Sequence, residues 1–522
     1  MKDLPIGISS LKTIIESGMV YVDKTMFAEE LAKKPGRYFL SRPRRFGKSL
    51  FLDTLKELLE GNEALFRGLS VHDNWDWSKS YPVLKIDFAG GSSSTPEDFH
   101  RKMEALFIQY GDVYNYSFRN SGSSNKLDEL ILHVARSTGS RVVLLIDEYD
   151  KPILENIENP DKAALMREEL KSLYSVIKAR DAELQFVLLT GVSKFSKVSI
   201  FSGINNLSDL TLDPGYASLC GYTQMELECS FAEQLSGVDR EELRFWYNGY
   251  NFMGEPVYNP FDILLFLGQG KFYRNYWFET GSPSFLIKLF QKNSYFLPNF
   301  ESIQAGEELL SSFDLDRIEP VTLLFQSGYL TIDHVEFKLG AMQYTLRIPN
   351  HEVKTALSSS LFSAWSGQAE QRIPYQNEAW EALQTADLPR LEKVIRRLFA
   401  GVPWRNFTNN DLADFEGYYA SVLYAFFTAM GCEVIPEDIS NHGQADLTIG
   451  IKNVRIIMEI KVLPSSASLT ELPADGVGNP ALAQIRKMDY ASKYRELPGQ
   501  QLFELGIVFG RAERGLIGFN WL

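Results

Sequence analysis

Cysteine is scarce in this 522-residue chain: Cys220, Cys229 and Cys432 are the whole complement, and they form no C-x-x-C pair. That excludes a disulfide framework and suits a reducing compartment. Long apolar runs are missing too, since no stretch approaches the roughly 20 residues needed to span a bilayer. The opening Met-Lys-Asp-Leu-Pro-Ile-Gly has no apolar signal core. The expectation is a soluble, cytoplasmic chain with no membrane partner. Positive charge is in deficit, with 53 Lys and Arg against 67 Asp and Glu and a net charge of -14. A globally cationic nucleic-acid binder is thereby excluded, although a local basic groove is not. Internal repeats and low-complexity tracts are also lacking.

What remains is ordinary for a folded protein: 45% hydrophobic and 23% charged residues. At roughly 150 residues per domain the length predicts about three to four domains. In the first part, strand-like segments alternate with helix-like ones. Val20–Val22, Arg37–Ser41, Val83–Phe88, Val142–Ile146 and Phe186–Thr190 read as strands. Thr25–Lys34, Leu50–Glu60 and Lys162–Ala179 read as helices, and 90–96 and 120–125 as surface loops. Near-continuous apolar strands between amphipathic helices predict a buried parallel sheet, hence α/β. From about Gly221 the pattern turns helical. Helix Val321–Ser327, strands Tyr329–Asp333 and Gln343–Ile348, and helix Glu352–Trp365 are compatible with a winged helix. The last part has a helix over 411–430 and strands Glu433–Ile439, Ala445–Ile451 and Arg455–Val462. A turn at Lys452-Asn453, a helix Ala481–Tyr494 and a strand Leu505–Phe509 complete it. The expected division is 1–220, 221–400 and 401–522.

A phosphate-binding loop needs a strand, a turn that wraps N–H groups round an anion, and a helix whose N-terminus faces it. The segment Arg42-Pro43-Arg44-Arg45-Phe46-Gly47-Lys48-Ser49 sits in that context. Its first expected glycine is replaced by Arg42, so the motif G-x-x-x-x-G-K-[ST] is incomplete. Arg45, Phe46, Gly47 and Lys48 would meet phosphate, and Ser49 would meet Mg²⁺. The strand Val142-Val143-Leu144-Leu145-Ile146 delivers Asp147 and Glu148 at its end. Asp147 would hold Mg²⁺ and Glu148 would polarise the attacking water. Thr190-Gly191-Val192-Ser193-Lys194 would place Ser193 beside the terminal phosphate. The competing reading makes the first motif a surface turn and the second a capped strand end. Around them, Lys33, Lys34, Arg37, Arg42, Arg44 and Arg45 form a basic cluster without an acid. Lys33 and Lys34 read as solvated. Arg44 or Arg45 could touch phosphate, or reach a neighbouring subunit's nucleotide in a homo-oligomer.

Near the C-terminus, Glu459 and Lys461 lie two apart on one strand and so share a face. Asp446, on the preceding strand of a short hairpin, can approach Glu459. Two carboxylates and a lysine converging this way suit divalent-metal phosphodiester hydrolysis. The carboxylates and the Ile460 carbonyl would bind Mg²⁺, and Lys461 would act on the water or the phosphorane. Glu416 could complete the metal shell and Gln484 could reach the site. The blander alternatives are a solvated Glu416, a capping Gln484 and a surface ion pair at Glu459 and Lys461.

These blocks resemble a known family. Leu4-Pro5-Ile6-Gly7, Tyr21-Val22-Asp23-Lys24-Thr25, the 42–49 loop, Asp147-Glu148-Tyr149-Asp150-Lys151-Pro152 and Thr190-Gly191-Val192-Ser193-Lys194-Phe195 look like the AAA-ATPase-like family. Residues 201–207 and Trp246-Tyr247-Asn248-Gly249-Tyr250 extend the likeness. Gly443-Gln444-Ala445-Asp446, Glu459-Ile460-Lys461 and Gln484-Ile485 look like the PD-(D/E)XK nuclease domain to which that family is commonly fused. The resemblance implies a P-loop ATPase core, a helical and winged-helix middle and a restriction-endonuclease-like C-terminal domain. It also implies that arginine is usual in place of the first motif glycine. By the nuclease pattern, Asp446 and Glu459 are metal ligands, Lys461 is catalytic, and Glu416 and Gln484 are auxiliary.

The function expected is an ATP-regulated, Mg²⁺-dependent nuclease acting on nucleic acid, DNA before RNA. The main rival is a signalling ATPase whose C-terminal domain binds nucleic acid or a protein without cutting. An ATP-binding scaffold with little turnover is a third reading. Arg486, Lys487, Lys493 and Arg495 could track a phosphate backbone or simply be solvated.

Overall fold

The computed structural model describes residues 1–91, 95–194, 200–201, 206–277, 297–307, 310, 319–367, 370–402, 416–466, 478–495 and 499–522. The chain divides into two compact units, residues 1–277 with 302–350, and residues 278–301 with 351–522.

The first unit is built on five strands: β1 (Gly36–Ser41), β2 (Val83–Asp87), β3 (Val142–Asp147), β4 (Leu184–Gly191) and β5 (Ser208–Asp209). All are parallel, in the order β2-β3-β4-β1-β5. Every residue of β3 is buried, as expected where helices cover both faces of a parallel sheet. The helix Lys48–Leu59 follows β1 and buries Phe51, Leu52, Leu55, Leu58 and Leu59, one apolar stripe at helical spacing. The helix Pro160–Ala179 starts with proline after Asn159, whose side chain accepts the Lys162 N–H at 3.2 Å. Placing β4 between β1 and β3 brings three strand C-termini to one crevice, where open α/β sheets bind ligands.

Several expectations change. Val20–Val22 forms no strand, and the helix Ser123–Thr138 begins inside the segment read as a loop. The helices Gln224–Ser230, Arg240–Tyr247 and Pro260–Gly268 give the helical middle. Its small sheet has three strands, β6 (Ile303–Gly306), β7 (Thr331–Lys338) and β8 (Ala341–Arg347), ordered β6-β8-β7. The hairpin of the winged-helix reading is therefore present after the helix Pro320–Ser327, with an extra strand. The helix that follows, His351–Ser366, belongs to the second unit.

The second unit carries a mixed sheet of β9 (Glu433–Ser440), β10 (Gly443–Ile451), β11 (Val454–Leu463), β12 (Gln501–Gly510) and β13 (Gly515–Trp521). The order is β13-β12-β11-β10-β9, with β11 and β12 parallel and the other pairs antiparallel. The helix Glu416–Ala429 is buried along most of its length, with the Tyr419 ring stacked on Phe509 at 4.0 Å. Residues 411–415 of the expected helix lie outside the described residues. The helix over 481–494 is shorter than expected, running Pro480–Met488. Asp489 takes a left-handed conformation (φ +48°) that ends it, and a 3₁₀ turn Ser492–Tyr494 follows. Among the described residues no helix is long and apolar enough to cross a membrane.

Candidate functional sites

The loop after β1 has the conformation an anion requires. Gly47 is left-handed (φ +92°) and caps the helix Lys48–Leu59 without any side-chain hydrogen bond. The N–H groups of that helix end are thus free of a side-chain cap. Lys48 is buried and folds back over the loop, donating to the carbonyls of Arg42 and Pro43 at 2.9 Å each. Burial lowers the pKa of its ammonium, and Asp147 works against that.

Arg42 is not part of a phosphate cradle. It is 1% exposed and donates to the carbonyls of Ser41, Thr211 and Tyr216 at 2.9, 2.7 and 3.0 Å. Its guanidinium also lies 4.1 Å from the Phe252 ring centroid. The Phe46 ring is buried against Tyr250 and Phe252, so only its main chain is available to a ligand. Arg45 is left-handed (φ +69°) and exposed, with its guanidinium 4.7 Å from the Phe261 ring. Ser49 is half-buried at the helix start. Elsewhere in the basic cluster Arg37 is buried on Asp181 and the Leu184 carbonyl, and Lys33 pairs with Glu29.

The ends of β3 and β4 are stitched together. Asp147 accepts the Thr190 hydroxyl at 2.6 Å and the Glu148 N–H at 3.0 Å. Glu148 itself sits at φ +50°, an uncommon conformation for its type. Asp150 had no role in the sequence reading, although it lies within the quoted Asp147–Pro152 block. Its side chain is buried and accepts the N–H groups of Val192 and Ser193 at 3.0 and 2.6 Å. Burial pushes its carboxyl up to about 6 despite those bonds. The Tyr149 hydroxyl donates to the Ser193 carbonyl at 2.8 Å. Gly191 is required here, because a Cβ would lie 2.5 Å from the Tyr149 ring and 2.6 Å from Asp150. Ser193 is thus held by its main chain, and the Lys194 ammonium pairs with Asp209. Phe195 and residues 202–205 lie outside the described residues.

The second site lies on the β10–β11 hairpin. Pairing runs to Leu447 opposite Met458, which puts Asp446 and Glu459 next in register. Asp446 accepts the Ile460 N–H at 2.7 Å. The Lys461 ammonium stands 3.0 Å from Glu459 and 3.6 Å from Glu416. Gln484, on the helix Pro480–Met488, donates to Glu459 at 2.5 Å and contacts the Tyr490 hydroxyl at 3.3 Å. All five expected residues therefore meet. Glu416 also accepts the Val462 N–H at 3.4 Å. Among the described residues no three His, Cys, Asp or Glu side chains are gathered to hold a metal by themselves, so Glu416 does not form a triple cluster with Asp446 and Glu459.

The electrostatics of this hairpin are unbalanced. Glu459 is 2% exposed, and its Oε2 has no partner at hydrogen-bond geometry among the described residues. Burial, then the neighbouring Asp446, pushes its carboxyl up to about 7, with Lys461 opposing. Burial also raises Asp446, against the Ile460 N–H and Lys461. Burial works against the Lys461 ammonium, but Glu459, Glu416 and Asp446 outweigh it and hold its pKa above the usual value. Two of the four basic residues expected to track a backbone are already paired. Lys493 lies on Asp438, and Arg495 on Asp489 and Glu504.

Two arrangements on α/β sheets, a glycine-lysine loop between a parallel strand and a helix and a hairpin of carboxylates and a lysine, point to the class of protein. Residues 5–201 match the family model of a predicted AAA-ATPase (AAA-ATPase-like), and residues 414–518 match that of the PD-(D/E)XK nuclease superfamily. Along its length the chain is 45% identical over 520 residues to an uncharacterized protein in the vnfD 5' region of Azotobacter chroococcum mcd 1, covering 99% of this chain and 98% of that one. The chain belongs to the AAA-ATPase-like family and carries a C-terminal domain of the PD-(D/E)XK nuclease superfamily. Among solved structures, Drosophila ORC bound to AT-rich DNA and Cdc6 is matched at 11% identity and a TM-score of 0.19, over 66% of this chain and 90% of that one.

Proposed function

We propose that the protein is an ATP-binding, metal-dependent nuclease acting on nucleic acid, with DNA the favoured substrate. The observation that carries this reading is the buried Glu459 carboxylate beside Asp446: its Oε2 has no partner among the described residues, while its Oε1 stands 3.0 Å from the Lys461 ammonium. A hard divalent cation such as Mg²⁺ fits this donor set, because it takes oxygen ligands and relieves the repulsion of adjacent carboxylates. Asp446, Glu459 and the Ile460 carbonyl would hold it, with Glu416 reaching it at most through water. Bound there, it would supply Lewis acidity toward a phosphodiester. Lys461, kept charged by its three acidic neighbours, stabilises the negative charge that develops on the phosphate oxygens. Gln484 fixes the Glu459 carboxylate by donating to the Oε1 that Lys461 also approaches. Tyr490 fixes the Gln484 amide in turn.

At the other site, the uncapped helix end, Gly47 and Lys48 would hold the ATP phosphates, with Ser49 and Asp147 serving its Mg²⁺. Glu148 orients water for hydrolysis, and the Asp150-held Ser193 loop lines the same crevice. ATP binding would regulate cleavage.

The test is incubation of the full chain with supercoiled and single-stranded DNA and Mg²⁺, with and without ATP, beside Glu459→Ala. Cleavage that disappears in a folded Glu459→Ala protein is expected. Cleavage that persists in it overturns the site assignment. A second reading, a nucleotide switch whose C-terminal domain binds without cutting, is favoured by the pairing of Lys493 and Arg495 with acids and by the net charge of -14. It predicts cation binding lost in Asp446→Ala with no cleavage of any substrate.

A further inference from the structure

The helix Pro320–Ser327 is apolar at Val321, Leu323, Leu324 and Phe325, yet it buries Gln326 at 5% exposure. Burying an amide is unfavourable unless its donors and acceptor are used. The Gln326 Oε1 accepts the Lys194 N–H at 3.0 Å, at the end of the loop that Asp150 holds after β4. Its Nε2 is buried and without a partner among the described residues. A packing role alone would be served better by leucine or methionine.

The residues that follow touch the other parts of the same crevice. Gly328 is left-handed (φ +91°) and packs so closely on the phosphate loop that a Cβ would lie 2.8 Å from Pro43 Cβ. Thr331, the first residue of β7, accepts the Asn251 N–H at 2.7 Å and donates to the Asn251 carbonyl at 3.3 Å. Asn251 follows Tyr250, whose ring meets Phe46 of the phosphate loop with centroids 4.8 Å apart. Tyr250 and Asn251 thereby bridge the loop and this segment. One short stretch, Gln326 to Thr331, thus contacts the loop after β4, the phosphate loop and Asn251 beside Tyr250, and runs directly into the β7–β8 hairpin.

We propose that Gln326 is a positioning residue of the nucleotide site: it fixes the Lys194 end of the loop after β4 and, through Gly328 and Thr331, passes the state of the phosphate loop to the β7–β8 hairpin. The inference rests on the reading of the 42–49 loop as an ATP site. It is tested on the full chain with a fluorescent ATP analogue, phosphate release, and amide hydrogen exchange of 331–347 with and without ATP. Wild type, Lys48→Ala, Gln326→Met and Gln326→Glu are compared. Gln326→Met keeps the volume and loses the acceptor. It should bind the analogue within about threefold of wild type, release phosphate about tenfold more slowly and lose the ATP-dependent exchange change. Gln326→Glu keeps an oxygen for the Lys194 N–H and should retain that change, which carries the test if the Met variant does not fold. A Gln326→Met protein that responds like wild type, or a folded Gln326→Glu protein that does not respond, overturns the inference. Absence of analogue binding by wild type, or binding unaffected by Lys48→Ala, overturns the ATP-site reading and this inference with it.

Discussion

The phosphate loop and the carboxylate hairpin treat their buried charges in opposite ways. Lys48 is enclosed, but its ammonium is satisfied by two carbonyls of its own loop. Glu459 is equally enclosed and keeps one oxygen, Oε2, without a partner among the described residues, opposite a second carboxylate. Ligand binding at the first site must exchange existing hydrogen bonds for new ones, so the gain is a difference between similar terms. At the second site a cation would relieve a repulsion and a desolvated oxygen together. The loop is therefore complete without a ligand, and the hairpin is not.

The largest effect that could break this contrast is on cleavage. In a folded Lys461→Ala protein, cleavage should fall roughly 1000-fold or more while cation binding survives, as expected when charge stabilisation in the transition state is lost. Single-turnover rates with Mg²⁺ measure it.

Next is a pH effect on stability. The Glu459 carboxyl lies at about 7 in the folded chain against an ordinary 4.5, so the folded state favours its protonated form. That contribution is fully present below pH 4.5 and is lost as pH rises through about 7, amounting to about 3 kcal/mol for this group. In EDTA, wild type should lose stability between pH 4.5 and 7, and Glu459→Gln should lose markedly less. Equal losses in denaturant titrations would show that the burial of Glu459 is not felt.

Lys48→Ala should weaken ATP binding by about 100-fold and cost roughly 1–2 kcal/mol in denaturant unfolding, since it leaves the buried Arg42 and Pro43 carbonyls without their donor. A fluorescent ATP analogue reports the affinity. Smallest of all, Thr190→Val removes the 2.6 Å bond to Asp147 and should cost about 1 kcal/mol in denaturant unfolding.

The legibility of the two sites differed for physical reasons. Buried parallel strands read directly as apolar runs, so β1, β3 and β4 were visible with the acids and glycines at their ends. The hairpin was visible because Asp446, Glu459 and Lys461 sit on strands of clear period joined by a tight turn. β13 was not, because Gly515 and Gly518 interrupt an edge strand of only partial burial. The early stop after Met488 depends on Asp489 adopting φ +48°, which its residue type permits but does not dictate. Arg42 read only as the residue in place of the first motif glycine, within a basic cluster, and only the surrounding carbonyls of Thr211 and Tyr216 reveal it as an internal brace. Asp150 and Gln326 were hidden for the same reason. Their partners are main-chain N–H groups far away in sequence, and no local pattern encodes those.

The most direct test of the contrast is calorimetric titration of the nucleotide-free full chain with Mn²⁺. The account predicts one binding event that is abolished in Asp446→Ala and unchanged in Lys48→Ala. Binding that is the same in Asp446→Ala as in wild type would contradict it.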